Sequence, residues 1–456
     1  MLKPLYEKED SLGTVHKNWD SEWWKKFLEL SEDFTKTLVI RNVLTDAEVN
    51  QFNRWTLNAL REVFLRQNTN YDFRLYIGSI SQSFQYLKEN LFIHLPKEDD
   101  TPHSWAERVF CNDEKFAIIM NSSEKFSDEM ATKISEYYAP LIEIAGIPLR
   151  GINITIFIGN YGFTPLGIHK DHPGEHVMHL HLGPANKIMY NWDLDEYEKM
   201  TNNVQNNKNV TPLLAFADKY EFGTKDIYYM PWNKYHIGNT EEMSVGISIW
   251  FNHLPYRKLL PHMLRSFRRQ IFSESNQSKI EFISPFLINN DDASNNSRKQ
   301  FEQMIALFDE GMINPYNSFG TIIREVYEDY CISLSSNQGW NTVPISRDKD
   351  LVEGGQANME DVHFSDDDEI CAIKPFKIKY KKTGQNTISL FIRGNKIDLK
   401  FHPEIIKVIE TINLSEPISV GELLERLNQS WPREVGVYIL KMMYNLKGIT
   451  LNKGEK

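Results

Sequence analysis

A histidine and an aspartate separated by one residue, His169 and Asp171, have side chains that could bind one metal ion. In extended backbone, residues two apart point to the same face, so the pair would offer an imidazole nitrogen and a carboxylate oxygen to the ion. The chain contains 13 histidines, so about one His-x-Asp motif is expected by chance. A metal site therefore requires a third ligand and a strand context for the motif.

His236 is the best candidate for the third ligand. It lies in the segment MPWNKYHIGNTEEMSVGISIWF, in a turn-rich stretch between two predicted strands that could return to the same end of a barrel. Two histidines and one carboxylate on one face leave roughly three positions of an octahedral ion open, which is the ligand set of non-haem Fe(II) oxygenases. The donor set favours iron over zinc.

Short strands at close spacing surround the motif. Runs rich in β-branched and aromatic residues are separated by turn formers, a pattern typical of an antiparallel barrel or sandwich. The predicted strands are NITIFIGN, HVMHLHL, KIMYNW, DIYYMPW and MSVGISIWF. Helices are predicted before them, over residues 17–33, from a capping box at Thr45 and Glu48 to about Arg66, and from the N-cap Ser127 to about Ile144.

The pattern changes after residue 255. RKLLPHMLRSFRRQIF and SRKQFEQMIALFDEG are helical patterns, and nine Asp and Glu between Asp348 and Glu369 indicate a solvated linker. A strand pair across Gly394-Asn395 then precedes three predicted helices, which begin at Pro403, at a capping box of Ser419 and Glu422, and at Pro432. This order is typical of a winged helix. The predicted divisions are residues 1–255, 256–347, 348–371 and 372–456.

Composition narrows the class of protein. The net charge of −11 argues against a general nucleic-acid binder, although residues 372–456 carry 15 Lys and Arg against 8 Asp and Glu. The three cysteines are too far apart for a zinc clip and favour a reducing cytoplasm. No apolar run approaches the roughly 20 residues that cross a bilayer, and the N-terminus has no signal-peptide core. We expect a cytoplasmic protein without a membrane partner.

The run IGNYGFTP, the His-x-Asp motif, and two strands of which the second opens with a lysine together resemble the JmjC-type protein hydroxylases. The resemblance covers about residues 150–255. It implies a double-stranded β-helix (cupin or jelly-roll) core with flanking helices. It also implies that His169, Asp171 and His236 bind Fe(II), and that Thr164 and Lys187 bind 2-oxoglutarate.

Bacterial and ribosomal oxygenases of this group also carry a helical dimerisation segment and a winged helix after the barrel. The resemblance therefore implies a small α/β winged-helix domain at the C-terminus, a homodimer, and hydroxylation of an amino-acid side chain in a protein or ribosomally made peptide. The third predicted helix, REVGVYILKMMYNLK, is mostly apolar, which favours peptide docking over DNA binding. The segment also resembles leader-peptide-binding domains of peptide-modifying enzymes.

Other interpretations remain open at this point. His179 and His181 form the His-x-His pair of metal-binding cupins, but no carboxylate follows until Asp193. The chain could then be a non-catalytic module that holds a metal or ligand, or a small-molecule hydroxylase with the same three ligands. Tyr161, Asn153 and Ser248 could line a co-substrate pocket, and His172 could contact the substrate.

Overall fold

Two antiparallel sheets face each other in the first half of the chain. The computed structural model describes residues 18–67, 72–110, 115–271, 319–345, 362–384, 386–427 and 431–454. The first thirteen strands are, in chain order, β1 (Leu38–Ile40), β2 (Phe73–Ile77), β3 (Ile80–Ser81), β4 (Phe116–Asn121), β5 (Ile152–Gly159), β6 (Gly162–Phe163), β7 (His169–Lys170), β8 (Glu175–Pro184), β9 (Lys187–Asp193), β10 (Asp218–Phe222), β11 (Ile227–Met230), β12 (Lys234–Thr240) and β13 (Ser244–Asn252).

The large sheet has eight strands in the order β1-β11-β8-β13-β5-β4-β2-β3, and the small sheet has the order β10-β9-β12-β6, with β7 also paired to β12. All five predicted strand runs lie within these sheets. The prediction of an antiparallel β core with flanking helices is confirmed, and the arrangement is compatible with a jelly-roll.

Strand β5 shows how the two faces of the large sheet differ. Ile154, Ile156 and Ile158 are fully buried in the main apolar core, whereas Thr155 and Phe157 line a cavity between the sheets. Successive side chains of a strand point to opposite faces, so one run of sequence supplies both a core and a cavity wall. We call the cavity side of the large sheet its inner face.

Six helices accompany these strands. They are α1 (Ser21–Leu30), α2 (Asp46–Arg66), α3 (Phe84–Asn90), α4 (Pro102–Val109), α5 (Asp128–Ala145) and α6 (Leu194–Thr201). The predicted capping box of Thr45 and Glu48 is present, and Ser127 accepts a hydrogen bond from the amide of Met130. Helices α1, α2 and α5 share the core with the outer face of the large sheet.

The region 67–115, in which no elements were predicted, extends the large sheet. Strand β2 pairs with β4 along its whole length, with Arg74 opposite Ile119. The sequence gives little sign of this strand because polar Arg74 alternates with buried Phe73 and Leu75 over only a few residues. His103 is paired with Glu107 at the surface, as expected for a histidine outside the site.

Among the described residues that follow the sheets, two helices precede the C-terminal unit: α7 (Tyr256–Ile271) and α8 (Phe319–Ser336). The first confirms the predicted RKLLPHMLRSFRRQIF helix, and the SRKQFEQMIALFDEG prediction lies outside the described residues. The stretch after α8 joins the core, because Trp340 bridges to Ile152 and donates from its indole nitrogen to Ser135 Oγ at 2.8 Å.

The C-terminal unit contains two three-stranded sheets, β18-β14-β19 and β15-β16-β17. Its elements are β14 (Glu369–Ala372), β15 (Lys379–Lys382), β16 (Thr387–Ile392), β17 (Asn395–Lys400), α9 (Pro403–Asn413), β18 (Ile418–Ser419), α10 (Val420–Glu425), α11 (Arg433–Asn445) and β19 (Ile449–Asn452). The predicted strand pair and three helices are all present. Strand β14 begins within the residues predicted as linker, and Ser419 caps α10 while the Glu422 side chain pairs with Arg426.

Buried polar contacts fix the C-terminal unit to the rest of the chain. The Arg393 guanidinium lies 3.5 Å from the Phe376 ring centroid, and its Nε donates to Asn337 Oδ1 at 3.1 Å. On α8, the buried Asp329 accepts hydrogen bonds from Lys381 and Lys396 at 2.9 and 2.7 Å. The unit therefore packs directly against α8 and the loop that follows it.

None of the helices in the described ranges combines the length and apolar character needed to cross a membrane.

Glu124 provides a pH-dependent contribution to stability. It is buried and accepts hydrogen bonds from the amide of Ile154 at 2.8 Å and from Thr342 Oγ1 at 2.5 Å. Burial raises its pKa from 4.5 to about 7. Between pH 4.5 and about 7, Glu124 is therefore protonated in the native state and ionised in the unfolded state. The free energy of unfolding consequently falls as the pH rises through this range.

We expect Glu124→Gln to remove this slope, because a neutral amide can keep both hydrogen bonds without a buried charge. The variant should be more stable than the parent above pH 7 by up to roughly 3 kcal/mol, as one pKa unit corresponds to about 1.4 kcal/mol. Urea unfolding at pH 5, 6, 7 and 8 measures the difference. Exposed Glu143→Gln on α5 serves as the control, and an unchanged slope in Glu124→Gln would contradict the prediction.

Candidate metal centre

The three predicted metal ligands lie together between the sheets. Strand β7 pairs with β12 so that His169 stands opposite His236, and their ring centroids are 4.4 Å apart. Asp171 Oδ2 lies 3.9 Å from His236 Nε2. One ligand atom from each residue falls within 4.8 Å of the other two, the only such cluster of His, Cys, Asp and Glu among the described residues.

The backbone around the two histidines sets their orientation. Nδ1 of His169 donates to the Gly167 carbonyl at 2.9 Å, and Nδ1 of His236 lies 3.4 Å from the Lys234 carbonyl. With Nδ1 held in this way, Nε2 is left to act as the ligand atom. His236 is on strand β12, which corrects the sequence-based placement in a turn-rich stretch. A strand position holds the imidazole more firmly than a turn would.

The Asn-rich segment TNNVQNNKNV, residues 201–210 at the end of α6 and after it, holds the His-x-Asp segment in place. Ile168 and Asn207 exchange two backbone hydrogen bonds, at 2.8 and 3.0 Å. Gly167 has φ of +77°, and a Cβ there would meet the Asn207 carbonyl oxygen at 2.7 Å, so only glycine fits this approach. In the sequence this segment is recognisable only as a polar insertion, because its role depends on the pairing of Asn207 with Ile168, about 40 residues earlier.

Burial prepares the three side chains for a cation. It lowers the pKa of His169 and of His236 to about 4, so both imidazoles are neutral near pH 7. It raises the pKa of Asp171 to about 7, and Asp171 Oδ2 is buried without a hydrogen-bond partner. Two neutral imidazoles beside an unsatisfied carboxylate fit a divalent ion, which would provide the missing charge.

The ligands open onto a cavity of about 680 Å³ between the sheets. Lys187, at the start of β9, is buried in its wall, and its Nζ lies 5.0 Å from the Phe157 ring centroid and 5.9 Å from that of Tyr161. Within the described ranges, its ammonium makes no ion pair or hydrogen bond. The Tyr161 hydroxyl is also buried without a hydrogen-bond partner. A buried cation in this setting calls for an anionic ligand.

Thr164 and Lys187, the two residues predicted to bind 2-oxoglutarate, lie near each other beside Gly238. Its hydroxyl donates to the Gly238 carbonyl at 3.1 Å. A Cβ on Gly238 would stand 3.1 Å from both Thr164 Oγ1 and Lys187 Cε. The sequence did not single out Gly238, which keeps this end of the cavity open.

The His-x-His alternative receives no support from the geometry. His179 Nδ1 is hydrogen-bonded to Ser248 Oγ at 2.9 Å, and His181 Nε2 donates to the Ala185 carbonyl at 2.7 Å. Their rings are 5.8 Å apart, and no carboxylate joins them in the metal-ligand geometry described above. Other residues expected near a pocket, Asn153, His172 and Ser248, do line the cavity, as does His179.

No protein-family model and no curated protein matches this chain. Among solved structures, it is similar to YcfD, a ribosomal oxygenase from Escherichia coli, in complex with cobalt and succinic acid, with 12% identity and a TM-score of 0.44 over 94% of this chain and 98% of that one. The complex of YcfD with cobalt and 2-oxoglutarate gives the same values. A further E. coli YcfD structure has 13% identity and a TM-score of 0.43 over the same shares.

We expect His236→Ala to weaken Co(II) binding severely, because it removes one of three ligand atoms. Mutation of a residue that only hydrogen-bonds to a metal ligand lowers metal affinity by roughly 10- to 100-fold. Removal of a ligand itself should lower the affinity for Co(II) by more than that. Isothermal titration of the purified protein with Co(II) measures the affinity. His103→Ala on α4, an exposed histidine, should bind as the parent does. Parental affinity in His236→Ala would show that the ligand is misassigned.

Proposed function

We propose that this chain is an Fe(II)- and 2-oxoglutarate-dependent oxygenase of the JmjC type that hydroxylates an amino-acid side chain in a protein or peptide. The observation that carries the proposal is the shared cavity. His169, Asp171 and His236 form a two-histidine, one-carboxylate cluster, and the same cavity holds the unpaired ammonium of Lys187. A metal-binding module alone would need the first feature and not the second.

His169, Asp171 and His236 would hold the iron. When bound, the iron supplies the oxidising chemistry, whose overall balance converts a substrate C–H group, O₂ and 2-oxoglutarate to C–OH, succinate and CO₂. Three protein ligands would leave the remaining positions of the ion to ligands that are not part of the protein. The protein contributes fixed ligand positions and a site between two sheets from which bulk water is excluded.

Lys187 and Thr164 would bind the carboxylate of 2-oxoglutarate that is remote from the metal. The ammonium supplies a charge-assisted hydrogen bond, which is strongest where water is excluded. The Thr164 hydroxyl lines the cavity near Lys187. The Tyr161 hydroxyl is buried without a hydrogen-bond partner among the described residues, and its ring lies 5.9 Å from the Lys187 ammonium. The face of the Phe157 ring, 5.0 Å from the ammonium, adds a cation–π contact.

The substrate is proposed to be a protein or a ribosomally made peptide that docks on the C-terminal unit. The surplus of seven positive charges in residues 372–456 and the winged-helix order of its elements support a docking role. We also propose that the protein forms a homodimer through residues 256–347, which lie between the two facing sheets and the C-terminal unit. Comparing peptides with free amino acids as stimulators of 2-oxoglutarate turnover separates this function from that of a small-molecule hydroxylase.

The experiment that tests the function is aerobic incubation with Fe(II) and 2-oxoglutarate, followed by quantification of succinate by mass spectrometry. Succinate formation that requires iron, and that is lost in Asp171→Ala, supports the oxygenase. Anaerobic addition of 2-oxoglutarate to the iron-loaded protein should also produce a weak visible charge-transfer band. Absence of both signals would favour a non-catalytic metal-binding module.

Lys187→Met should raise the KM for 2-oxoglutarate by roughly 10- to 100-fold, because a hydrogen bond to a charged group contributes about 1.5–3 kcal/mol. Gly238→Ala should raise it as well, since the added methyl group occupies space between Thr164 and Lys187. Initial rates of succinate formation across 2-oxoglutarate concentrations measure both effects.

Lys219→Met, on the exposed surface of β10, is the matched control and should keep the parental KM. A parental KM in Lys187→Met would show that another group binds the co-substrate.

A further inference from the structure

The inner face of the large sheet carries a continuous series of hydrogen-bonded side chains that line the cavity. Trp250 Nε1 donates to Thr155 Oγ1 at 3.0 Å, and Thr155 Oγ1 donates to Asn121 Oδ1 at 2.8 Å. Asn121 Nδ2 then donates to Asp72 Oδ2 at 2.8 Å. This hydrogen-bond series crosses β13, β5 and β4 and ends beside β2, and all its members line the cavity.

This hydrogen-bond series ends at the guanidinium of Arg74. Asp72 Oδ2 lies 3.2 Å from Arg74 NH2, and the Arg74 side chain is 24% exposed. Arg74 Nε is buried without a hydrogen-bond partner. Because the carboxylate that pairs with Arg74 is itself fixed by Asn121, the guanidinium is held in position with donors left unused.

Two other cations of the cavity lining are, like Arg74, in ion pairs with a carboxylate, but of the three only Arg74 has a buried nitrogen without a hydrogen-bond partner in the described part of the chain. Arg150 is paired with Glu175 at 2.7 Å, and Lys170 with Glu198 at 2.9 Å. Arg74 also lies close to the metal ligands: burial is the main cause of the lowered pKa of His169, and the Arg74 charge contributes in the same direction. The cavity wall therefore carries two cations with donors that no described residue accepts from, Lys187 and Arg74.

Resting on the proposed oxygenase function, we propose that Arg74 binds the oxygen of a side-chain carboxylate or carboxamide of the substrate, and that the modified residue is of the Asp, Asn, Glu or Gln class. A guanidinium presents a planar pair of donors that matches either group. A leucine-like side chain has no acceptor for these donors. Lysine and arginine side chains carry donors and no acceptor, so they could not accept a hydrogen bond from Arg74 either.

The test uses the full-length iron-loaded protein, 2-oxoglutarate and peptide pools with one fixed central residue and randomised flanks. Succinate release above the peptide-free rate is the readout. Pools centred on Asp, Asn, Glu or Gln should stimulate release about tenfold more than pools centred on Leu or Lys, as expected for one charge-assisted hydrogen bond. Comparing the acid pools with the amide pools identifies which of the two groups is bound.

The Arg74→Met variant should lose this preference, and Arg74→Lys, which keeps the charge but not the planar pair of donors, should retain part of it. Arg66→Met, at the end of α2 and outside the cavity lining, is the matched control. Measuring the KM for the best pool and for 2-oxoglutarate in each variant separates substrate binding from co-substrate binding.

Three outcomes would overturn the proposal: equal stimulation by Leu- or Lys-centred pools, no stimulation by any pool while peptide-free succinate release persists, or a raised KM for 2-oxoglutarate in Arg74→Met with an unchanged pool preference. Each of these leaves the oxygenase function intact. A complete lack of iron-dependent succinate formation would instead count against the function itself.

Discussion

The carboxylate of Asp171 is the constraint on which the site depends. It is enclosed between two sheets, its Oδ2 has no hydrogen-bond partner, and the two imidazoles beside it are neutral. Without a cation, such a group keeps its proton, and its pKa is accordingly raised to about 7. A divalent ion removes this conflict and uses all three side chains as ligands, so binding of the ion and ordering of the site favour each other.

Preorganisation of the ligands follows from how the strands are held rather than from the ligands themselves. His236 lies within the regular pairing of β12 with β9, and the two-residue strand β7 is fixed between β12 and the Asn207 segment. The large sheet provides a rigid opposite wall, because its outer face is packed under helices α1, α2 and α5. A site built on paired strands can keep ligand atoms within a few tenths of an ångström of their working positions.

The sequence predicted the parts of the site whose signals are local. His169 and Asp171 were found from their spacing, His236 from its position between strands, and Lys187 and Thr164 from the family pattern around them. Gly238 and Asn207 were missed because their contacts are with residues far along the chain. Arg74 was missed because its ion-pair partner Asp72 is joined to the cavity wall, among the described residues, only through Asn121 on β4. The strands and capped helices were likewise predicted from local periodicity, whereas β2 to α4 were not, since the elements are short and mix polar with apolar positions.

The C-terminal unit is connected to the cavity through the chain that follows α8. Arg393 and Asp329 fix the unit to that helix and to Asn337, and three residues later Trp340 bridges to Ile152 at the start of β5. The next residue, Asn341, lines the cavity. Strand β5 also supplies Asn153 and Thr155 to the inner face. The C-terminal unit and this wall of the cavity are therefore joined by a continuous set of contacts through Asn337, Trp340 and β5.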